Sequence, residues 1–323
     1  MICVPATSHR YPLHCEAQLR RVFAQTMPAV AYTNGRYGPI AEAAISIDDR
    51  GFQFADSIYE VAAFLNGRFL DWGKHLWRLR RSLAALHIKG VPSDAALSAI
   101  AHRLIARSRA HDGLLYIQIS RGVARRDHPF PAASRPTLVM TARRFGFTQR
   151  IIQQRTGIAV ITLPDQRWAR CDIKSTGLLP AVLAKQEAAQ AHAFEAMFHL
   201  PDGTVTEGGS TNMYMVDKAG TIFTHPISAQ ILPGIARDTL LAIARTNQLR
   251  VEERAFTIDE ARAAPELFLT STTAPILPIT RLDDAAVGTG KPGPVTARLA
   301  ALLWDEVEQQ TGWRADAAPF SAF

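Results

Sequence analysis

Cysteine is scarce in this sequence of 323 residues, which contains 3 cysteines, Cys3, Cys15 and Cys171. An odd number without paired spacing excludes a disulfide framework and a zinc site and is typical of a reducing compartment. We therefore expect a cytoplasmic protein without a metal. No apolar run approaches the roughly 18 to 20 residues that a membrane span needs. Residues 1–27 also lack the continuous apolar core of a secretory signal.

Lysine is scarce as well, because arginine supplies nearly all of the positive charge, and it occurs only at positions 74, 89, 174, 185, 218 and 291. A net charge of +7 and a pI near 9.6 would suit a nucleic-acid partner. However, the arginines are scattered, without a long basic block or an RNA-binding aromatic motif. We therefore expect no nucleic-acid partner and no membrane partner. Each lysine needs its own explanation, since arginine already provides the solvated surface.

The remaining composition is that of a soluble globular protein, with 47% hydrophobic and 20% charged residues. Asn34-Gly35 and Asn66-Gly67 predict hairpin turns. Leucines 76, 79, 83 and 86 recur at helical spacing and predict a helix, with Arg78 off the apolar stripe. Further patterns predict strands at 57–65, 114–120, 137–141, 158–163 and 267–271, a hairpin of 213–216 with 221–224, and helices at 95–109, 180–198, 235–248 and 294–310.

This mixture of hairpins and helices predicts an α+β (mixed α/β) protein of two domains. Periodicity is lost over residues 143–154, which carry charge and glutamine. We therefore predict an N-terminal extension at 1–27, a small α/β domain at 28–145, an interdomain connection at 146–156 and a larger C-terminal domain at 157–323.

Lys174 follows the apolar run 157–163 and precedes a Ser-Thr-Gly turn and a long predicted helix. An amine at the junction of strand and helix can face a cleft, where burial lowers its pKa towards a nucleophilic range. Taken alone, these local features favour an ordinary surface lysine beside a turn. Only the rest of the chain can decide between the two interpretations.

Three other segments offer groups that bind an anion or a cofactor. Residues 232–237 (LPGIAR) open a helix whose first N–H groups can hold a phosphate. Residues 270–273 (TSTT) supply hydroxyls after a strand, although a polar loop or N-cap explains them equally well. Glu207 beside the glycines 208–209 is either a turn residue or a fixed anion in a cleft. Together with a lone amine, these groups are what a pyridoxal phosphate site requires.

A series of short segments carries a family resemblance in the same order, from about Tyr32 to the final helix. They are 49–54 (DRGFQF), 59–61 (YEV), 75–79 (HLWRL), 121–122 (RG), 126–131 (RDHPFP), 170–175 (RCDIKS), 183–188 (LAKQEA), 204–208 (TVTEG), 232–235 (LPGI) and 267–273 (LFLTSTT). In these segments the chain resembles the fold-type IV aminotransferases, which use pyridoxal 5'-phosphate, and most closely the D-amino acid aminotransferases. The resemblance implies a two-domain architecture with the cofactor cleft between the domains.

The resemblance also implies roles for individual residues. Lys174 would form the Schiff base with pyridoxal phosphate and carry the proton in catalysis, and Glu207 would keep the ring nitrogen protonated. The remaining cofactor contacts would come from Arg78, the main-chain N–H groups of Ile235 and Ala236, and Ser271 and Thr272 at the phosphate, from Leu232 at the ring and from Ser210 nearby.

The substrate side of the implied site involves Tyr59, Arg126 and His128, which match the group that holds the substrate α-carboxylate. In the family, the last two reach the site from the neighbouring subunit, so a homodimer is implied. The implied activity transfers an amino group between a D-amino acid, such as D-alanine, and a 2-oxo acid, such as 2-oxoglutarate. An ordinary charge pair on a surface loop is the alternative for Arg126 and His128.

Other functions remain open at this point. Branched-chain L-amino acid aminotransferases, (R)-amine transaminases and aminodeoxychorismate lyases share the fold, and a basic binding protein without catalysis is the non-enzyme alternative. Ala236 stands where the family usually has a hydroxyl residue, so one phosphate hydrogen bond of about 1 kcal/mol is absent. Ser57 and Gly209 replace the commoner Gly and Ser, which alters the lining of the pocket.

Because the resemblance begins only after Met27, we expect residues 1–26 to be dispensable. A chain that starts at Met27 should remain soluble and retain cofactor, as measured by size-exclusion chromatography and by absorption of the bound cofactor. An insoluble product, or one that cannot hold cofactor, would contradict this expectation.

Overall fold

The computed structural model describes residues 30–315, so the predicted extension at 1–27, with Cys3 and Cys15, lies outside the described residues. The first part of the chain forms strands β1 (Val30–Thr33), β2 (Arg36–Pro39), β3 (Ser57–Leu65), β4 (Arg68–Phe69), β5 (Gly113–Ser120) and β6 (Thr137–Arg144). It also forms helices α1 (Arg50–Phe54), α2 (Trp72–Ala85) and α3 (Asp94–Ser108).

The second part forms strands β7 (Ile158–Pro164), β8 (Glu195–His199), β9 (Val205–Gly208), β10 (Asn212–Val216), β11 (Ile222–Thr224), β12 (Val251–Glu252), β13 (Glu266–Ser271), β14 (Ala274–Leu282) and β15 (Ala285–Ala286). Its helices are α4 (Thr148–Thr156), α5 (Leu179–Gln190), α6 (Ile235–Thr246), α7 (Ile258–Ala263) and α8 (Pro294–Thr311). Two sheets with packed helices confirm the predicted α+β class.

The first sheet is antiparallel, with strand order β2-β1-β6-β5-β3-β4. Its two short hairpins turn at Asn34-Gly35 and Asn66-Gly67, as predicted. All four residues have positive φ, between 45° and 100°, which asparagine and glycine tolerate better than other residues. The leucine stripe is confirmed too, because Leu76, Leu79 and Leu83 of α2 are buried in the core beside this sheet.

The second sheet has strand order β12-β11-β10-β13-β14-β7-β8-β9, and β15 pairs with β14. It is mixed, because β11 with β12, β14 with β7 and β7 with β8 are parallel pairs. A core that includes Tyr214, Phe268, Leu240 and Leu299 joins this sheet to α6 and α8. Within residues 30–315, no helix is both long and apolar enough to cross a membrane.

The predicted helix at 180–198 is wrong beyond Gln190. Helix α5 ends at Gln190, and Glu195–His199 instead forms β8, between β7 and β9. Pattern alone cannot separate a short buried strand from a buried stretch of helix. Pairing with two neighbouring strands makes this segment a strand, because it provides hydrogen-bond partners for the backbone N–H and C=O groups of an almost wholly buried segment.

The segment predicted as the interdomain connection contains a helix, α4, between the last strand of one sheet and the first of the other. Its Arg150 Nε donates to the Thr273 carbonyl at 2.9 Å, and its Gln154 side chain donates to the Ile276 carbonyl at 2.9 Å. Helix α4 therefore packs on β14 and the turn that precedes it. The predicted domain boundaries themselves stay a prediction.

The loop that contains Lys174 pairs with the first half of β3. The Tyr59 N–H donates to the Lys174 carbonyl at 2.9 Å, and the Thr176 N–H donates to the Ser57 carbonyl at 3.2 Å. Strand β4 pairs only with Phe64 and Leu65, so this edge of β3 is open to the loop. The backbone of Lys174 is thereby held against the first sheet, although the residue belongs to the second part of the chain.

Candidate active site

A cavity of about 270 Å³ lies where the two sheets meet, and both parts of the chain line it. It brings together most of the residues singled out in the sequence: Tyr59, Arg78, Lys174, Glu207, Ser210, Leu232, Ile235, Ala236, Ser271 and Thr272. Arg126 and His128 are not among its lining residues. Tyr59 comes from β3, Arg78 from α2, and the other residues belong to the second part of the chain.

Lys174 is only half-buried, and its amine faces the cavity. Its Nζ lies 4.3 Å from the centroid of the Tyr59 ring, which favours a cation over its face. The loop before it is held by Arg81, whose guanidinium donates to the Asp172 carbonyl at 2.8 Å and to its carboxylate at 3.1 Å. The lysine therefore combines a fixed backbone with an amine that can reach a bound molecule.

Arg78 is buried and held by Glu60, a residue that sequence reasoning missed. The Arg78 guanidinium donates to both Glu60 oxygens, at 2.7 and 2.9 Å, and His75 Nδ1 lies 2.8 Å from Glu60. Burial raises the pKa of Glu60, but Arg78 and His75 outweigh this effect and hold the pKa at about 2. A remaining Arg78 N–H group donates to the Pro233 carbonyl at 3.0 Å, beside the start of α6.

Glu207 is buried at the end of β9 and accepts hydrogen bonds from three groups. Its Oε2 accepts from the Asn212 side chain and from the Leu232 N–H, each at 3.0 Å. Its Oε1 accepts from the Arg167 guanidinium. Burial raises the pKa of Glu207 to about 7, and Arg167 only partly offsets this effect.

Arg167 and Asn212 are further site residues that sequence reasoning missed, and both line the cavity. Two carboxylates hold Arg167, because it also donates to Asp165 at 2.9 and 2.7 Å. An arginine two residues after an aspartate was the only signal for it in the sequence. That signal could not show that Glu207, distant in the chain, completes the arrangement.

The first turn of α6 offers main-chain N–H groups to the cavity. Gly234 precedes the helix as its N-cap without a side-chain capping bond, and Ile235 and Ala236 line the cavity. A Cβ atom at Gly234 would come within 2.0 Å of Asn212 Oδ1, so the close approach requires glycine. The N-terminus of a helix, beside the Arg78 guanidinium, is a site for an anion such as phosphate.

The hydroxyl groups around the cavity are partly engaged by the protein. Ser271 Oγ accepts from the Ala274 N–H at 3.1 Å. Ser210 Oγ donates to the buried Glu195 at 2.9 Å, and Lys185 lies 3.3 Å from the other Glu195 oxygen. Glu195 therefore fixes the loop after β9, with Ser210 exposed at the rim of the cavity.

Arg126 and His128 lie on an exposed loop outside the cavity of their own chain. The Arg126 guanidinium is 5.1 Å and the His128 ring 5.6 Å from the Phe54 ring centroid. The buried Arg50 donates to the main-chain carbonyls of Asp127 and, at 3.2 Å, of His128. The loop is therefore anchored through its main chain, while the side chains of Arg126 and His128 stay exposed.

Comparison with known proteins finds a matching family and similar relatives. A model of the family described as Amino-transferase class IV matches residues 57–282. The chain is 41% identical to a D-alanine aminotransferase of Bacillus licheniformis over 278 residues, which cover 86% of this chain and 97% of that protein. It is 37% identical to a D-alanine aminotransferase of Staphylococcus aureus (strain MSSA476), over 83% of this chain and 94% of the relative.

Solved structures show the same fold. A branched-chain amino acid aminotransferase from Escherichia coli superposes with a TM-score of 0.80 at 22% identity, covering 90% of this chain and 97% of that one. A branched-chain aminotransferase from Thermoproteus uzoniensis, with norvaline, gives a TM-score of 0.74 at 22% identity, with 88% and 95% covered. At these identities the likeness extends to the fold alone.

The buried Glu60 leads to a prediction about acid stability. Its pKa is lowered from 4.5 to about 2, so its contribution of about 3 kcal/mol is present above pH 4.5 and is lost as the pH falls towards 2. Glu60→Gln should be less stable at neutral pH by roughly 3 kcal/mol or more, because Arg78 loses its buried partner. The variant should also lose part of the acid sensitivity of the wild type.

Urea unfolding measured from about pH 6 to about pH 3 tests this expectation. Glu42→Gln, at an exposed position, is the matched control and should follow the wild type. Equal acid sensitivity in Glu60→Gln and the wild type would show that Glu60 does not titrate as expected.

Proposed function

The chain belongs to the class IV aminotransferases, and we propose that it is a D-amino acid aminotransferase that uses pyridoxal 5'-phosphate. The observation that carries the cofactor assignment is the placement of the Lys174 amine, the Glu207 carboxyl and the N-terminus of α6 in one cavity. The D-alanine aminotransferases at 37–41% identity support the substrate class. The expected amino donors are D-amino acids such as D-alanine, and the acceptors are 2-oxo acids such as 2-oxoglutarate.

The lining residues fit the cofactor. Pyridoxal phosphate supplies, when bound, a carbon that links covalently to amines and a ring that withdraws electrons from the substrate Cα. Lys174 would provide the amine for the covalent link, and its amine would move the substrate Cα proton as general base and acid. Glu207 would accept a hydrogen bond from the ring nitrogen and favour its protonated form. Leu232 would contact the ring, and Ser210 would line the site nearby.

The phosphate group is assigned to the end of the cavity formed by α6 and the turn after β13. The main-chain N–H groups of Ile235 and Ala236 and the side chains of Arg78, Ser271 and Thr272 provide the donors. Ala236 has no hydroxyl, so only its main chain contributes. The anionic phosphate thereby meets a helix N-terminus and a buried guanidinium.

The substrate carboxylate is assigned to Tyr59 of the same chain and to Arg126 and His128 of a neighbouring copy. Their exposed loop supports this arrangement, because these two side chains lie outside the cavity of their own chain. The proposed enzyme is therefore a homodimer. We further propose the domain boundaries given above and a cytoplasmic location, for which the low cysteine content is the support.

An amino-donor panel tests the substrate class. D-alanine and D-glutamate should be better donors than L-alanine, L-glutamate, L-leucine and (R)-1-phenylethylamine, with pyruvate or 2-oxoglutarate as acceptor. Measured kcat/KM values decide the order. A preference for L-leucine over every D-amino acid would overturn the substrate class and leave the cofactor assignment standing.

Lys174→Ala tests the covalent role of the lysine. The purified wild type should be yellow, and the variant should lose the visible absorption band of the lysine-bound cofactor. Its turnover should fall by at least about a thousandfold, because both the covalent link and the proton carrier are removed. Lys218→Ala, at an exposed position, is the control and should behave as the wild type. An unchanged band in Lys174→Ala would rule out Lys174 as the attachment site.

Arg126→Ala tests the substrate carboxylate site. The KM for D-amino acids should rise about tenfold to a hundredfold, the cost of one charge-assisted contact, while the cofactor is retained. The neighbouring exposed Arg125→Ala controls for a general loss of positive charge on this loop. An unchanged KM in Arg126→Ala would reject the assignment.

A further inference from the structure

Arg167 lies against Glu207 and is held there by several acceptors. Its Nε and Nη2 donate to Asp165 at 2.9 and 2.7 Å, and Nη2 also faces the Gln230 carbonyl at 3.2 Å. Asp165 in turn accepts from the Thr206 hydroxyl at 2.8 Å. With its Nη1 on Glu207 and its side chain only 12% exposed, the guanidinium is immobilised with its charge beside that carboxyl.

We propose that Arg167 is a positioning residue that favours the ionised form of the buried Glu207, so that Glu207 can accept a hydrogen bond from the ring nitrogen of the cofactor. This inference rests on the proposed function. A carboxyl buried without a counter-charge takes up a proton instead of remaining ionised. The Asn212 and Leu232 donors occupy Glu207 Oε2 and carry no net charge, so Arg167 provides the charge at Oε1.

The other ionisable groups near Glu207 cannot replace Arg167. They are the Lys174 amine and the Cys171 thiol in the cavity, with Asp165 behind Arg167. Burial raises the pKa of Glu207 to about 7, and Arg167 opposes it more strongly than the Leu232 N–H or Lys174 does. Burial likewise raises the pKa of Cys171 to about 11, so this thiol is neutral at neutral pH.

Arg167→Gln should therefore raise the pKa of Glu207, by about 1 to 3 units for loss of an adjacent opposite charge. Turnover with D-alanine at neutral pH should fall about fivefold or more and should recover as the pH rises towards the new pKa of Glu207. The wild type, in which the pKa of Glu207 is about 7, should gain no more than about twofold over the same range. Arg170→Gln, a half-exposed arginine in the same segment that pairs with Asp172, is the matched control and should follow the wild type.

Arg167→Lys separates charge from packing, because lysine keeps the charge and loses the planar fork. It should restore most of the neutral-pH turnover and remove the alkaline recovery. A uniform loss at every pH in both Arg167 variants would overturn the proposal, since it would indicate a purely structural role.

An infrared titration of the cofactor-loaded protein gives a readout that does not depend on activity. The carbonyl band of a protonated carboxyl group should be stronger at neutral pH in Arg167→Gln than in the wild type, and the Glu207 part of it should be absent from the Arg167→Gln/Glu207→Gln double variant. Because this measurement needs no substrate, it judges Arg167 even if the donor panel shows no transamination. A band no stronger in a folded Arg167→Gln than in the wild type would overturn the proposal.

Arg167→Lys also covers the case in which Arg167→Gln does not fold. Because it keeps the positive charge, the pH at which its Glu207 band disappears should match that of the wild type within about one unit. A rise of more than about two units in Arg167→Lys would count against the proposal, because the charge at position 167 would then not be what controls Glu207.

Discussion

The pairing of β3 with the lysine loop is the contact on which the site depends. Two main-chain hydrogen bonds fix this loop to the N-terminal half of the strand, one from Tyr59 and one from Thr176. Successive side chains of a strand point to opposite faces. Tyr59 therefore faces the Lys174 amine, while Glu60 faces the buried Arg78. One strand thus places the amine and, through Glu60, the guanidinium of the proposed phosphate site.

The buried charged residues beside the cavity form pairs of opposite charge. Arg78 has Glu60 as its partner, and Glu207 has Arg167, which itself has Asp165. Burying an ionised group costs several kcal/mol unless a partner offsets it, so each of these buried charges requires its partner. Arg78 of the first pair and both Glu207 and Arg167 of the second line the cavity. The pairing fixes the directions in which these groups point.

The substrate side of the cavity is less complete within one chain than the cofactor side. Every residue assigned to the cofactor lines the cavity, and of the proposed carboxylate group only Tyr59 does so. Arg126 and His128 are carried on a loop that Arg50 anchors through its main chain, with the side chains exposed. An anchored loop with exposed cationic side chains is suited to a site on another molecule. In the proposed dimer, the cofactor contacts come from one chain, and two of the three proposed contacts to the substrate carboxylate come from the other.

The sequence by itself determined the local elements and the family. The Asn-Gly turns and the leucine stripe of α2 depend on backbone preference and helical period, which short segments encode, and the ordered motifs identified the aminotransferase fold. The immediate neighbours of Lys174 alone favoured a surface residue, and it was the family resemblance along the rest of the sequence that pointed to Lys174 as the Schiff-base lysine. Tertiary structure decided that Glu195–His199 is a strand, because pairing with β7 and β9, which pattern alone does not show, satisfies its backbone. It also decided that Glu60 and Arg167 complete the site, because a buried charge is identified by its partner, and here the partners lie 18 and 40 residues away.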